Sequence, residues 1–189
     1  MGRATLRSWE RWAYALKPAS WPKLGAPFLL GQALGFVTAG RFDVGAFVVG
    51  GAFTFAYLVY IVLLNDWGDR EVDALKRRMF PTGCSPKTIP DGILPGSAVL
   101  AAGLGAGVVG LAVAAVGGVW LERPALGSFG LAALLIFHAY TFAPIRLNYR
   151  GGGEILEMAG IGVAVPLLNA YAPTCVPPVL TAALPSIIS

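Results

Sequence analysis

Charge is what this 189-residue sequence has least of: 14 Lys and Arg and 10 Asp and Glu leave only 13% of residues charged. Soluble domains carry about a quarter, so a soluble enzyme is excluded. Cysteine is nearly absent as well. Cys84 and Cys175 stand alone, without a CxxC pair, which excludes a disulfide scaffold and reads as two free thiols. A basic face for nucleic acid is also missing, because the net charge of +4 is spread over the short connections between apolar runs. The first 23 residues are basic and aromatic, with no compact apolar stretch before a small-residue cleavage site, so no cleavable signal peptide is expected.

What is there is apolar. No Asp, Glu, Lys or Arg occurs within 24–40, 44–65, 92–121, 124–145 or 158–189. A hydrocarbon core of about 30 Å takes roughly 20 apolar residues as helix, so each run is long enough to cross, the first with help from its flanks. The expected fold is a single all-α domain, a polytopic transmembrane bundle of five full spans and the start of a sixth. Residues 4–17 read as an interfacial helix with Trp9, Trp12 and Leu16 on one side, stopped by Lys17-Pro18. Spans are expected at about 22–40, 44–65, 93–119, 124–143 and 155–172, with Pro173, Pro177 and Pro178 ending the fifth. Gly103, Gly105, Gly107 and Gly110 give the third span a small-residue face for close helix packing.

Twelve of the 14 basic residues lie in 1–23, 66–91 and 144–157, and only Arg41 and Arg123 lie in the alternate turns. The positive-inside rule therefore expects a multi-pass protein of the cell membrane, with the N-terminus and both polar loops cytoplasmic.

The first polar loop opens with Asn65-Asp66-Trp67-Gly68-Asp69-Arg70-Glu71-Val72-Asp73. If the second span continues as helix, Asp66, Asp69 and Asp73 share one face. Carboxylates about 6 Å apart repel by a few kcal/mol per pair at an effective dielectric near 20. A hard divalent cation such as Mg²⁺, which takes carboxylate oxygens together with substrate phosphates, would compensate them. Lys76, Arg77 and Arg78 follow, able to hold further phosphate oxygens. The plainer alternative is a solvated helix end whose acids pair with Arg70 and Lys76. The second loop runs from Tyr140 through Arg146, Tyr149 and Arg150 to Gly151-Gly152-Gly153-Glu154. It reads either as a site whose glycines admit a ligand to the backbone or as an ordinary positive-inside loop with aromatic anchors. His138, Gln32 and Asn169, inside spans, read as packing or interhelical hydrogen-bonding residues.

Asn65-Asp66-x-x-Asp69-x-x-x-Asp73 at the end of the second span resembles the first aspartate-rich motif of the UbiA family of intramembrane prenyltransferases. Tyr140-Thr141-x-x-Pro144-x-Arg146-Leu147-x-Tyr149-Arg150-Gly151-x-Gly153-Glu154 resembles the stretch after that family's fourth span. It is closest to the branch that prenylates 1,4-dihydroxy-2-naphthoate. Lys17-Pro18 through Gly31 is similar to the family's first-span entry. The resemblance implies Mg²⁺-dependent transfer of a polyprenyl group from an isoprenyl diphosphate to an aromatic or other electron-rich acceptor. It implies Asp66, Asp69 and Asp73 as metal ligands, with Asn65 hydrogen-bonding beside them. Lys76, Arg77, Arg78, Arg146, Tyr149 and Arg150 would hold the diphosphate. Tyr140 or Tyr149 would stabilise the allylic cation or orient the acceptor.

The family's second aspartate motif follows its sixth span, and no acidic residue follows Glu157 here. The chain is therefore expected to be an N-terminal portion with little transferase activity alone, and Glu154 and Glu157 are expected to play structural roles at a helix start. The rivals are a non-enzymatic membrane protein with a structural or transport role and a CDP-alcohol phosphotransferase. The latter is disfavoured because no Ala-Arg pair follows Asp66. The basic asymmetry gives a direct test of orientation. In a chain with Cys84 and Cys175 replaced by Ser, a cysteine introduced at Arg78 should react with a membrane-impermeant maleimide only after the cytoplasmic face is opened. Labelling from outside intact cells would invert the topology.

Overall fold

The computed structural model describes residues 6–81, 83, 87–142 and 144–174. Among them every regular element is helical: α1 (Ser8–Leu16), α2 (Pro22–Ala39), α3 (Val44–Gly68), α4 (Arg70–Met79), α5 (Gly96–Trp120), α6 (Leu126–Thr141) and α7 (Gly153–Thr174). Three of them, α3, α5 and α7, are long and apolar enough to cross a membrane. Of the five crossings expected from the sequence, these three have the length and composition of a span. With 16 residues, α6 reaches about 24 Å at 1.5 Å per residue, short of a 30 Å core, and α2 carries Lys23 and Gln32 among its 18 residues. The proposed start of a sixth span, with Cys175, Pro177 and Pro178, lies outside the described residues, as does Cys84.

Local chemistry sets the helix ends. Pro18 disfavours helical geometry in the residue before it, and Lys17 closes α1 in the left-handed region at φ 46°. The Trp21 indole then donates to the Leu16 carbonyl at 2.9 Å. Gly40, at φ 66°, ends α2 with its N–H on the Phe36 carbonyl, and the Asp43 carboxylate caps α3 by accepting from the Ala46 N–H at 3.0 Å. Pro173, expected to stop the last helix, sits inside it instead. It is seated against Gly35, where a Cβ would lie 2.2 Å from Pro173 Cγ.

Small residues let the helices meet. The most extensive contact is α3 on α5, where the glycine face expected from the sequence receives the large side chains of α3. A Cβ added at Gly103 would fall 2.6 Å from Leu64, at Gly107 2.7 Å from Tyr60 and at Gly117 2.4 Å from Val49. Gly105, also named as part of that face, meets nothing within 4 Å. The core is the aromatic column Phe53, Tyr57 and Tyr60 of α3, closed by Leu126, Ala133 and Phe137 of α6 and Val165 and Leu168 of α7. The exterior of the bundle is apolar too: Val37, Val108, Val116 and Val119 are among its most exposed side chains, a surface suited to hydrocarbon rather than water.

Thr141 Oγ1, at the end of α6, is buried without a hydrogen-bond partner among the described residues, but the polar side chains deep in the bundle are paired, as a low-dielectric interior demands. Gln32 donates to Asn169 Oδ1 at 3.1 Å, and the Asn169 amide donates to Thr54 Oγ1 and the Val165 carbonyl. Gly50 leaves room for that amide. The interhelical role expected of Gln32 and Asn169 is thus what the structure shows. His138 instead lies exposed, stacked on Phe142 at 4.9 Å. The glycine contacts yield a paired prediction. Gly107→Val should destabilise the bundle by about 1–3 kcal/mol through overpacking against Tyr60, whereas Gly105→Ala should leave stability unchanged. Unfolding in mixed detergent micelles measures both.

Candidate functional site

Both polar loops lie at one end of the bundle, where α3 stops. The continuous helix expected through 65–73 is interrupted: α3 ends at Gly68, Asp69 leaves helical geometry at φ −92°, ψ 3°, and α4 restarts at Arg70. The three aspartates consequently have three different surroundings. Asp66 is buried, 2% exposed, and takes an ion pair from Lys17 and a hydrogen bond from the Thr88 hydroxyl. Asp73, also buried, pairs with Lys87 at 2.7 Å. Asp69 faces the second loop and accepts a hydrogen bond from the Tyr149 hydroxyl at 2.5 Å. Arg70 is not the partner of these acids that the solvated-end alternative requires. Arg70 lies over the Trp67 ring at 4.3 Å and pairs with Glu71.

The basic residues separate in the same way. Arg77 grips Asp91 with Nε at 2.9 Å and Nη2 at 2.8 Å, and Tyr14 donates to the same carboxylate at 3.0 Å. Burial alone would raise the Asp91 carboxyl, but the hydrogen bonds from Arg77, Tyr14 and the Lys87 backbone hold it below the usual range. The Tyr14 hydroxyl is pushed up by burial and by donating to Asp91. Arg77, expected on the diphosphate, is thus a tie between α4, α1 and the 87–95 segment. Arg78 and Lys76 stand exposed on α4. Arg146, in the left-handed region at φ 45°, donates to the Gly68 carbonyl at 3.2 Å and stacks on Tyr149 at 4.1 Å. Partial burial, with the Asp69 carboxylate beside it, pushes the Tyr149 hydroxyl up to about 12. Arg150 is exposed.

Beside this end a cleft of about 280 Å³ enters the bundle. Lys17, Ser20, Lys23, Asn65, Tyr140 and Glu157 supply its polar lining, and Leu58, Ile61, Val62, Phe137 and Ile161 are among its apolar walls. Of the residues singled out in the sequence, Asn65 and Tyr140 line the cleft, and Asp69, Arg146 and Tyr149 form a connected group that joins the two loops. Asp66 and Asp73 are engaged with lysines. Lys17, Lys23, Thr88, Lys87 and Asp91 were missed as site residues. A lysine and an aspartate isolated at the far end of the acidic loop were the only signal, and nothing local points from Lys17 to Asp66.

Three carboxylates are the right donor chemistry for magnesium, but these do not fit it as arranged. Two are neutralised by lysines, and among the described residues no group of three His, Cys, Asp or Glu converges on a metal position. The ion pairs predict a stability effect. Lys17→Met leaves Asp66 charged and buried without its partner and should cost about 3–5 kcal/mol. Lys17→Met combined with Asp66→Asn should recover most of it. Thermal unfolding in one detergent, compared across the parent and both variants, checks this. No protein-family model, curated protein or solved structure matches this chain.

Proposed function

We propose that the chain transfers an isoprenyl group from an isoprenyl diphosphate to an aromatic acceptor such as 1,4-dihydroxy-2-naphthoate. The reaction would take place at the cytoplasmic end of a five-span bundle in the cell membrane. One observation carries the reading: an apolar cleft opens beside the end where both polar loops meet, with two lysines and Asn65 among its polar lining. Such a cleft suits a molecule with an anionic head and a hydrocarbon tail.

In this reading Lys23 and Arg146 take up the diphosphate, and Asn65 orients it by hydrogen bonding. Lys23 is exposed and has no ion pair among the described residues, so its charge is available. The C1–O bond breaks with its electron pair leaving on the diphosphate. The faces of Tyr140 and Phe137 stabilise the allylic cation, and the apolar walls keep water from it. An electron-rich ring carbon of the acceptor then bonds to C1, and the ring proton is lost to a base. Magnesium, when bound, would supply the counter-charge of the leaving diphosphate, and Asp66 or Asp73 would hold it only when released from Lys17 or Lys87.

The assay places the chain in lipid nanodiscs, in excess over labelled geranyl diphosphate, with Mg²⁺ and a panel of aromatic acceptors, because a single-turnover format registers a slow transfer. Prenylated product is expected, reduced at least tenfold by Lys23→Met and by Asp69→Ala. Absence of product with every acceptor would favour the non-enzymatic alternative.

A further inference from the structure

The cleft has a floor. Asn65 lines its polar end and Tyr57 its depth, eight residues apart on α3, which puts the floor about 12 Å below the mouth at 1.5 Å per residue. Tyr57 is fixed there: it is 1% exposed, stacked between Phe53 and Tyr60, and its hydroxyl donates to the Ala133 carbonyl at 2.9 Å. Opposite it stands Gly160, where a Cβ would touch the Tyr57 hydroxyl at 3.3 Å and Ile136 Cγ2 at 3.3 Å. Gly160 lies inside a π-helical stretch of α7, Met158–Ala164. Such a stretch widens the turn, and π-helical turns recur at functional sites. Three elements thus meet at one level, and α7 meets the other two with the smallest residue available.

The volume gives the capacity. An apolar cavity of about 150 Å³ holds benzene, six carbons, so 280 Å³ holds about eleven. That is two isoprene units and not three.

We propose that the contact of Tyr57, Gly160 and Ile136 is the stop that limits the cleft to a tail of two isoprene units, making Gly160 the residue that sets tail length. This rests on the isoprenyl diphosphate reading and narrows it to a short-chain donor. The affinity contributed by the tail should grow while carbons enter the cleft and level off once Tyr57 is reached, since further units lie outside and bury nothing new.

The test is equilibrium binding to the chain in nanodiscs, with empty nanodiscs subtracted to remove partitioning into lipid. The probes are the C5, C10, C15 and C20 members of the series, dimethylallyl to geranylgeranyl diphosphate. Affinity should rise at least tenfold from C5 to C10 and change less than threefold from C10 to C20. Gly160→Val should weaken C10 at least tenfold and C5 less than threefold. Gly160→Ala, whose added methyl needs only a few tenths of an ångström, keeps the fold and should weaken C10 by a smaller factor in the same direction. Affinity that keeps climbing through C20, or Gly160 variants that bind C5 and C10 with the parent's ratio, would overturn the stop while leaving the donor class intact. Failure of all four diphosphates to bind would overturn the donor class and the stop with it.

Discussion

The ion pair between Lys17 and Asp66 is the contact on which the polar end of this molecule depends. Asp66 lies in the last turn of a helix whose preceding 20 residues are uncharged, and it is buried, so its carboxylate needs a partner at once. That partner comes from the break between α1 and α2, where Pro18 forces Lys17 out of helical geometry. Thr88 supplies the second contact from the far side of α4. One carboxylate therefore fixes the entry of the first long helix, the end of the second and the return of the acidic loop. Asp73 with Lys87, and Asp91 with Arg77 and Tyr14, repeat the device and leave the 87–95 segment anchored to α1 and α4.

The helices were legible because their signals are local. Charge-free runs mark the long helices to within a few residues, Lys17-Pro18 marks the end of α1, and the α5 glycines mark its contact with α3. The site was only partly legible, because its partners are distant in sequence. Spacing placed Asp66, Asp69 and Asp73 on one face, a rule that holds only within an unbroken helix. The break at Asp69 gave each carboxylate its own environment. Which cation meets which acid depends on how loops fold back, and no periodicity encodes that. Asn65 and Tyr140 were found because each belongs to a stretch that resembles a known motif, Asn65 at the end of one apolar run and Tyr140 five residues before the end of another.

Inside the bundle, polar groups act as fasteners. The Gln32–Asn169–Thr54 chain joins α2, α7 and α3, and Tyr57 and Tyr60 reach carbonyls of α6. Hydrophobic burial gives these apolar helices little preference for one partner over another in lipid, so hydrogen bonds and close packing carry the specificity. The cleft is the place where that packing is left incomplete, with four fastened helices, α2, α3, α6 and α7, around it.

The spacing of the α5 notches restricts how the bundle can move. Buried Gly103, Gly110 and Gly117 recur every seven residues, and Gly107 and Ala114 repeat the same interval. A slide of α5 along α3 by one turn, about 5.4 Å, would keep Tyr60 at a small residue but drive one end of the row out of its recess, Val49 from Gly117 toward Trp120 or Leu64 from Gly103 toward Val99. The ends of the row therefore hold this pair in one register, which makes it a poor sliding joint. Whatever widening admits a ligand must then come from the other walls of the cleft, α2 and the π-helical half of α7, hinging against a beam that stays still.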